Sequence, residues 1–362
     1  GLDDLKSSPT LTKKQLRAQT LNYKDKNGTG SYRRHTAGTT GEPIHVFLNR
    51  QELAQMLGVR DYCFRHYGLK LGQREARLWG RPESGFKSWI KNFAMNRRVF
   101  YTADSQAETE VAELVKWQPD YLYGYSSLLL EAAKILDGMN LNFRSPKCVV
   151  CTAESILPTQ KDFISRVFSA PVAEEYGSTE FDVIALECHH GHRHLVNPWL
   201  MLEEGQEGEL ISDVSRVSQN IIRYSLGDSF LISHSYCSAL GDEKYIEELE
   251  GRTINQFVLI SDSEKTHIIV FSRLFDRYFS EHNDVFSFQM EQREFASLEV
   301  VIDKIPVMGS LHLRDFLSLN ILEEVGAKIK VSVHVDDFQK AGQKRSYFVQ
   351  KIKTVGETQN GN

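Results

Sequence analysis

The sequence predicts an α/β protein with a large N-terminal domain, residues 1–250, and a small α+β C-terminal domain, residues 251–362. The first observation is a strand–helix–strand pattern that repeats about every 30 residues and is typical of a partly parallel sheet. The second is the strict apolar alternation of KIKVSVHV, 328–335, which indicates a strand in the C-terminal part. The third is the length of 362 residues, which favours more than one domain.

The N-terminal elements follow from composition and apolar spacing. Residues 22–43 are rich in Asn, Gly, Thr, Ser and Arg and predict a long surface loop. Apolar residues at helical intervals predict helices at 47–67, 106–117 and 125–136. One of the two serines that open the third helix, YSSLLLEAAKIL, could cap it.

The middle of the chain continues the α/β pattern and then changes. The apolar run at 147–154 predicts a buried strand, 159–168 returns to helical spacing, and the next strand begins at 171. Residues 208–215 and 220–233 alternate like strands of an antiparallel or barrel-like unit. The α/β pattern is therefore expected to change after about residue 205.

The C-terminal domain is predicted from three elements. Strands at 297–303 and 328–335 flank a helix at 311–326, and Gly326 is its expected C-cap.

Charge, hydropathy and cysteine content exclude several classes of protein. The formal charge is −5 and the pI is about 6.2, so there is no global electrostatic case for nucleic acid or an anionic membrane. No apolar run approaches the roughly 18 residues of a membrane span, and the polar N-terminus does not resemble a secretory signal. Five cysteines in so long a chain do not form a disulfide scaffold. We therefore expect a cytoplasmic protein with reduced thiols.

The stretch HTAGTTGEP, 35–43, carries three threonines and two glycines just before a predicted helix. Glycines let backbone N–H groups approach an anion and hydroxyls donate to phosphate oxygens, so the stretch suits a polyphosphate. The P-loop pattern does not fit, because no lysine follows Gly41. An ordinary Gly/Thr turn remains the alternative.

Four stretches occur in the order of the motifs of adenylate-forming enzymes, which they resemble: HTAGTTGEP (35–43), EEYGSTE (174–180), RYSLGD (223–228) and EGRT (250–253). Three more resemble the branch of phenylacetate–coenzyme A ligases and capsule-biosynthesis adenylating proteins: LTKKQLR (11–17), YLYGYSSLL (121–129) and CTAESI (151–156). The resemblance covers nearly the whole chain from Leu11. Members of that branch usually carry some tens of residues before the first of these stretches, so the chain looks short at its N-terminus.

The resemblance implies a large adenylate-forming domain with a small mobile C-terminal domain and a two-step reaction. A carboxylate attacks the α-phosphate of ATP to give an acyl-adenylate, and a thiol of coenzyme A or of a carrier protein then displaces AMP. The protein must orient anions and neutralise charge, with Mg²⁺ present. We expect no nucleic acid partner; a homodimer is compatible with the sequence, which does not determine the oligomeric state.

The resemblance also assigns roles to individual residues. Those that would hold the β- and γ-phosphates are Thr36, Gly38, Thr39, Thr40 and Gly41. Glu180 would hold Mg²⁺, which prefers carboxylate and phosphate oxygens, unless it is only a surface carboxylate. The residues expected to take part directly in the reaction are Thr39, Glu180 and Lys344.

Further residues would contact the nucleotide. Tyr176 would lie against the adenine, unless it is a core tyrosine with a satisfied hydroxyl. Asp228 would accept from the ribose hydroxyls, unless it only belongs to a turn. The other residues assigned to ATP by the resemblance are Glu154, Gly177, Ser178, Thr179, Arg223 and Arg252. Either arginine could instead pair with a carboxylate.

The activating lysine and the hinge depart from the family pattern. Gln343 separates Gly342 from Lys344 in KAGQKRSYF, so either Lys344 acts with a one-residue slip or the lysine position is lost. A basic cluster near a C-terminus is often only solvated. Thr253 and its neighbours follow the Gly-Arg step where many relatives carry acidic residues, which puts the geometry of the domain rotation in question.

The acid-binding pocket is expected near the end of YLYGY and the strand that comes after it. Its predicted residues are Tyr123, Gly124, Tyr125 and Ala153, with Tyr121 and Glu154 beside them. Three tyrosines would form an aromatic wall that favours an aryl acid. A run of tyrosines is also common in core packing.

A separate group of residues suits zinc. CHHGHRHL, 188–195, and HSYC, 234–237, together offer thiolate and imidazole, the ligands that structural zinc prefers. The predicted ligands are Cys188, His194, His234 and Cys237. Some members of the branch carry a cysteine pair where this chain has one cysteine, so His234 would have to substitute. A His-rich polar turn is the alternative.

Two rival functions stay open beside an acid–thiol ligase. The altered hinge and displaced lysine favour a degenerate relative that binds a nucleotide or a partner without catalysis. An adenylating enzyme could also pass its acyl group to an amine or a sugar in polysaccharide or natural-product biosynthesis. The sequence contains no GxSxG stretch, so nothing indicates a hydrolase of that type. Cys63, Cys148 and Cys151 lie on apolar stretches, where inert buried thiols are expected.

Overall fold

The computed structural model describes residues 7–21, 32–35, 44–80, 85–103, 105–139, 141, 143–203, 205, 208–233, 235–240, 244–252, 257–336 and 346–352. The chain divides into two compact units. The first comprises residues 1–154, 164–253 and 341–344, and the second comprises 155–163, 254–340 and 345–362. The predicted assignment of 1–250 to adenylation and 251–362 to a lid stays a prediction.

The described residues form eight helices, in chain order. They are α1 (Lys13–Leu21), α2 (Arg50–Arg65), α3 (Phe86–Ala94), α4 (Ala107–Trp117), α5 (Ser126–Met139), α6 (Pro158–Phe168), α7 (Ile268–His282) and α8 (Ser310–Val325).

Fourteen strands of the described residues lie in the first unit. They are β1 (Tyr32–His35), β2 (His45–Leu48), β3 (Glu75–Leu78), β4 (Arg97–Phe100), β5 (Tyr121–Tyr125), β6 (Val149–Thr152), β7 (Val172–Ser178), β8 (Asp182–Glu187), β9 (Arg193–Leu195), β10 (Leu200–Glu203), β11 (Leu210–Asp213), β12 (Tyr224–Ser225), β13 (Asp228–Ile232) and β14 (Tyr245–Arg252). Six lie in the second: β15 (Phe257–Leu259), β16 (Lys265–His267), β17 (Phe288–Gln292), β18 (Ser297–Ile302), β19 (Lys330–Val335) and β20 (Phe348–Gln350).

A nine-stranded mixed sheet organises the first unit, in the order β13-β14-β9-β8-β7-β6-β5-β3-β4. The pairs from β4 to β7 are all parallel, which confirms the α/β fold class with a partly parallel sheet. From β7 onward the pairs are antiparallel. Strand β7 is therefore the point at which the direction of the sheet changes.

Two smaller sheets complete the first unit. Strands β10, β11 and β12 form an antiparallel sheet where the sequence predicted an antiparallel or barrel-like region. Strands β1 and β2 form a hairpin-like antiparallel pair, so part of the predicted loop 22–43 is a strand. Arg33 and Phe47 are opposite one another in that pair, which joins the two segments in register.

The predicted helix at 47–67 begins later than its apolar spacing suggested. Residues His45–Leu48 belong to β2, and α2 begins after Asn49. The Asn49 side chain accepts from the backbone N–H of Glu52 at 2.9 Å, and the Glu52 carboxylate accepts from that of Asn49 at 2.7 Å. This capping box fixes the helix start.

In the second unit, α7 and α8 accompany a four-stranded sheet in the order β19-β18-β17-β20. Its core is aromatic: Phe275 stacks on Phe288 with ring centroids 3.7 Å apart. Gly326 ends α8 with φ +74°, a left-handed conformation that glycine adopts without strain, and this confirms the predicted C-cap.

A buried carboxylate holds the parallel edge of the large sheet together. Glu75 on β3 accepts from Arg77 and Arg97 at 2.6 Å each and from the Tyr121 hydroxyl at 2.7 Å. Burial raises the pKa of Glu75, but the two guanidinium groups outweigh it and lower the pKa to about 2. The Glu75 carboxylate therefore has partners on three adjacent strands: Arg77 on β3, Arg97 on β4 and Tyr121 on β5.

None of the described helices is both long and apolar enough to cross a membrane.

Candidate functional site

Strand β7 carries the EEYGSTE stretch and is irregular where it meets β8. The pairing register shifts between Tyr176 and Gly177, which is the signature of a bulge. A Cβ atom on Gly177 would lie 2.2 Å from the carbonyl oxygen of Asp182, so only glycine fits there. Asp182 itself has φ +62°, a conformation that is costly for an aspartate. This turn is held in a special geometry by its surroundings.

The structure brings together two predicted nucleotide residues that are 52 positions apart. The Tyr176 hydroxyl donates to Asp228 Oδ2 at 2.9 Å, and the Tyr176 ring meets Phe230 edge-on. Asp228 opens β13, and its Cα partner in β14 is Arg252. Tyr176, Asp228 and the backbone of Arg252 are thus close together at this part of the sheet.

A second hydrogen bond joins the same two motifs. Glu180 is buried, so it is not a surface carboxylate, and its Oε1 accepts from the Tyr224 hydroxyl at 2.9 Å. The Glu180 carbonyl oxygen also accepts from Arg216 Nη2 at 2.6 Å. EEYGSTE and RYSLGD are therefore connected in both directions, each giving one tyrosine and one carboxylate.

Arg223 is engaged with protein groups. Its Nε lies 3.5 Å from Glu203 Oε2, and its Nη1 donates to the carbonyl oxygen of Ser8. The residue has φ +49°, which is unusual for a bulky side chain. This geometry favours the alternative in which Arg223 pairs with a carboxylate.

Glu154 and Ala153 lie at the end of β6, next to the start of α5. Glu154 Oε2 accepts from the backbone N–H of Ser127 at 2.9 Å, and its carbonyl oxygen accepts from the Ser126 hydroxyl at 3.0 Å. A carboxylate at a helix N-terminus satisfies free N–H groups and complements the helix dipole. Glu154, and neither predicted serine, therefore supplies the capping side chain of α5. Ala153 has φ +68° in this turn.

The predicted aromatic wall is buried in β5. Tyr123 donates to Glu175 Oε1 at 2.7 Å, and burial raises the pKa of Tyr123 to about 12. Tyr125 packs on Trp79 with centroids 4.1 Å apart. A Cβ atom on Gly124 would lie 2.2 Å from the carbonyl oxygen of Leu78, which explains the glycine between two tyrosines. The contacts of Tyr121 and Tyr123 are those of core residues; a pocket role for Tyr123, Gly124 and Tyr125 stays a prediction.

A buried ion network that sequence reasoning missed supports β7 from one side. Arg60 on α2 lies 3.2 Å from Glu175 Oε2 and 3.2 Å from Asp182 Oδ1, which Arg34 of β1 also meets at 2.8 Å. Burial raises the pKa of Asp182, but Arg60 and Arg34 lower it to about 2. The available signal was an arginine four residues after Met56 on the apolar face of the predicted helix.

Several predicted residues fall outside the described residues. They are the phosphate-loop residues Thr36, Gly38, Thr39, Thr40 and Gly41, the activating residue Lys344 and the zinc ligand His234. Their roles stay predictions. Gly177 and Ser178 lie on β7, and Thr179 lies in the turn after it.

A cysteine–histidine cluster is assembled at the β8–β9 turn. The ligand atoms of Cys188, His192, His194 and Cys237 all lie within 4.8 Å of one another. The turn is closed by hydrogen bonds from the Cys188 N–H to the His192 carbonyl at 2.9 Å and from the Gly191 N–H to the Cys188 carbonyl at 3.0 Å. Three of the predicted zinc ligands are thus together, and His192 joins them.

The unpaired polar atoms of this cluster suit a metal ion. Within the described residues, both ring nitrogens of His194 and Nδ1 of His192 are buried without a hydrogen-bond partner, which is rare for buried polar atoms. The sulfur atoms of Cys188 and Cys237 lie 4.0 Å apart and form no disulfide. Burial lowers the pKa of His194, which favours the neutral imidazole that binds metals. Two thiols and two imidazoles are a donor set of structural zinc.

The fold of the whole chain is that of adenylate-forming ligases, which confirms the predicted fold class. The structure of a 2-hydroxyisobutyryl-CoA ligase, in complex with 2-HIB-AMP, matches 97% of this chain and 81% of its own with a TM-score of 0.77 at 15% identity. The amide bond synthetase McbA from Marinactinospora thermotolerans matches 83% of this chain and 64% of its own, with a TM-score of 0.53 and 12% identity. No protein-family model matches the chain.

One curated relative agrees with the branch that the motifs indicated. Protein CapK of Staphylococcus aureus is 25% identical over 236 residues, which is 61% of this chain. The matched segment spans about half, 52%, of the length of CapK. The similarity to CapK is consistent with the capsule-biosynthesis branch that the motifs suggested, and the solved structures show the fold of adenylate-forming ligases.

We expect Arg60→Met to lower the free energy of unfolding by about 3 kcal/mol, because it leaves Glu175 and Asp182 buried near Arg34 without their main counter-charge. The matched control is Arg65→Met on the same helix, where an exposed pair with Asp61 is removed. Urea unfolding of both variants and the wild type measures the difference. Equal midpoints for the two variants would contradict the stabilising role of Arg60.

Proposed function

We propose that the chain activates a carboxylic acid with ATP as an acyl-adenylate and then transfers the acyl group to a thiol, that of coenzyme A or of an acyl carrier protein. The observation that supports this most strongly is the pair of hydrogen bonds between EEYGSTE and RYSLGD, Tyr176 to Asp228 and Tyr224 to Glu180. They join two motifs of the predicted nucleotide site, although the motifs are far apart in the sequence.

Each of these residues has a role that its environment supports. Tyr176 offers an aromatic face to adenine, and Asp228 supplies a carboxylate, the kind of acceptor that the ribose hydroxyls need. Glu180 supplies a carboxylate oxygen for Mg²⁺, which usually binds through one or two carboxylates and substrate phosphates. Tyr224 fixes the orientation of that carboxylate. When bound, Mg²⁺ would offset the charge of the phosphates.

Two predicted parts complete the proposed site. Thr36, Thr39 and Thr40, with Gly38 and Gly41, would surround the β- and γ-phosphates with hydroxyl and backbone donors. Lys344 would bind the transferring phosphate and the carboxylate oxygens as negative charge builds up in the transition state.

The acid is proposed to be aromatic. The supporting observation is aromatic packing next to β6, where Tyr125, opposite Thr152 in the sheet register, packs on Trp79. Glu154 and the N-terminus of α5 lie next to them. The acceptor is less constrained, because the similar folds include a CoA ligase and an amide bond synthetase. Transfer to an amine or sugar in polysaccharide or natural-product assembly is therefore the second form of the proposal.

A non-catalytic nucleotide or partner binder is the rival function. It is favoured by Gln343, which separates the glycine from Lys344, and by Arg223, whose side chain is already occupied by Glu203 and Ser8. A binder needs the Tyr176–Asp228 arrangement but not the lysine, so the two functions differ in their chemistry and not in their affinity for ATP.

The cysteine–histidine cluster is proposed to hold one structural zinc ion. Cys188, His192, His194 and Cys237 would be the four ligands, with His192 in the place predicted for His234. Four protein ligands leave no open coordination position, as in structural sites. The ion would fix the β8–β9 turn, and β8 also pairs with β7, which carries Tyr176 of the candidate nucleotide site.

The direct test of the proposed function is ATP–pyrophosphate exchange with a panel of aryl and aliphatic acids. We expect exchange with one acid class, and we expect Glu180→Gln to lower its rate about 100-fold, because an amide cannot supply the charge for Mg²⁺. The matched control is Glu187→Gln, an equally buried carboxylate of β8 outside the motifs. No exchange with any acid in the presence of tight ATP binding would favour the rival function; equal rates for both variants would remove the Mg²⁺ role of Glu180.

A second prediction concerns Lys344. Lys344→Ala should reduce adenylate formation about 1,000-fold while slowing thioester formation from a supplied acyl-adenylate much less, because the lysine acts on the phosphate charge of the first step. Lys340→Ala, in the same stretch, is the control. Normal adenylate formation by Lys344→Ala would mean that the one-residue slip is wrong.

Metal content tests the zinc proposal. Mass spectrometry of the purified chain should give about one zinc per chain, and Cys188→Ser should bind zinc at least about 10-fold more weakly. His189→Gln, an exposed histidine outside the cluster, is the control and should keep its zinc. Zinc content below one-tenth per chain in zinc-supplemented protein, or equal content in Cys188→Ser and the control, would contradict the site.

A further inference from the structure

Helix α3 presents an unusually exposed aromatic face. Phe86 is 74% exposed, Trp89 60% and Phe93 76%, and Ile90 lies beside them with 45%. The rings form a row: Phe86 stacks on Trp89 at 5.9 Å and Trp89 on Phe93 at 5.5 Å. Single exposed apolar residues are common, but a continuous row of three aromatic rings on one helix is not.

The exposed area is large for so short a helix. An aromatic side chain offers roughly 150–250 Å², so the three rings together expose about 400 Å². That is already the size of the largest apolar patch on a typical monomer, which is often functional. The nine residues of α3 supply this area alone.

Hydrogen bonds hold the segment that follows α3 in place. The helix begins after Gly85, where the Trp89 N–H donates to the Gly85 carbonyl at 3.1 Å. It ends at Ala94, and Asn96, two residues later, has φ +49° and donates through its side chain to the Gly72 carbonyl at 2.9 Å. The Asn96 carbonyl then accepts from the Glu75 N–H at 3.0 Å. The segment after α3 is thus tied to the residues before β3, and β4 comes next as the edge strand of the large sheet.

The charge of this segment differs in sign from that of the chain. Residues 85–98 contain two lysines and two arginines and no acidic residue, whereas the whole chain carries −5. Arg97 is paired with Glu75 and Arg98 with Glu113, while the helix itself contributes two lysines to the sequence and no acid. Because charges beyond about 8–10 Å are screened at physiological salt, the local sign decides what approaches this face.

We propose that α3 is an interfacial anchor that inserts its aromatic face into the surface of an anionic lipid bilayer. Helices that lie in the membrane interface typically carry Trp and Phe on one side together with lysine, and α3 has this composition and no acidic residue. Tryptophan prefers the headgroup level. Charge complementarity selects this occupant, because the helix contributes two lysines and no acidic residue to its segment.

This anchor lies on the membrane and does not span it, because a helix of nine residues is too short to cross the hydrocarbon core. So short a helix gives weak and reversible binding, and the expected behaviour is a protein that partitions between water and anionic surfaces. The proposal is independent of the proposed function, because it uses no residue of the candidate nucleotide site.

Vesicle sedimentation of the full chain tests the anchor. We expect binding to vesicles of phosphatidylcholine with about one-third phosphatidylglycerol, at least about 10-fold weaker binding to phosphatidylcholine alone, and weakening by added salt. Phe86→Ser with Phe93→Ser should abolish binding, and Lys87→Gln with Lys91→Gln should remove only its dependence on anionic lipid. Val307→Ser with Leu311→Ser, a similarly exposed apolar pair at 79% and 68% elsewhere in the chain, should bind as the wild type does.

Thermal unfolding of the phenylalanine variant checks its fold, and its midpoint should match that of the wild type because both side chains are exposed. No binding of the wild type to anionic vesicles at low salt would overturn the proposal, as would equal binding by the phenylalanine variant.

Sedimentation equilibrium without lipid provides a further test. If the wild type is a dimer and the phenylalanine variant a monomer, the face is a self-association surface and the membrane proposal is wrong.

Discussion

The contact of Arg60 with Glu175 and Asp182 is the interaction on which the candidate site depends. It ties helix α2 to both sides of the turn between β7 and β8, at 3.2 Å to each carboxylate. Without the Arg60 guanidinium group, two carboxylates beside the bulge at Gly177 would stay buried and lose this counter-charge. Asp182, with its positive φ, and the change from parallel to antiparallel pairing at β7 lie beside this guanidinium group, and Arg34 supplies the second cation at Asp182.

The candidate site itself is held together by two hydrogen bonds between the motifs EEYGSTE and RYSLGD. Tyr176 and Glu180 come from the β7 side, and Asp228 and Tyr224 come from the second motif, RYSLGD, so each motif orients a carboxylate of the other. Such pairing holds acidic side chains in place before a ligand arrives, which lowers the cost of ordering them on binding. Two further features use none of these four residues. They are the cysteine–histidine cluster at the β8–β9 turn and the aromatic face of α3.

The fold class was predictable because its information is local, whereas the roles of the motif residues stay predictions. Apolar spacing predicted most helices, and short ordered motifs predicted Tyr176, Glu180 and Asp228. The start of α2 was missed although its Asn49–Glu52 capping box is visible in the sequence. The Arg60 network could not be read locally, since its partners lie 115 and 122 residues away. His192 was missed as a cluster member because the turn at Gly191 decides which histidines of CHHGHRHL face the cysteines.

The central claim is that this chain makes an acyl-adenylate. Mass spectrometry of the small molecules formed by the purified protein tests it most directly. The purified chain would be incubated with ATP, Mg²⁺ and each acid of an aryl and aliphatic panel in turn, without a thiol, and the protein-bound small molecules would be extracted. The account predicts a species with the mass of the acid plus AMP minus water, together with one equivalent of pyrophosphate. ATP recovered unchanged from the protein, with neither adenylate nor pyrophosphate for any acid tested, would contradict it.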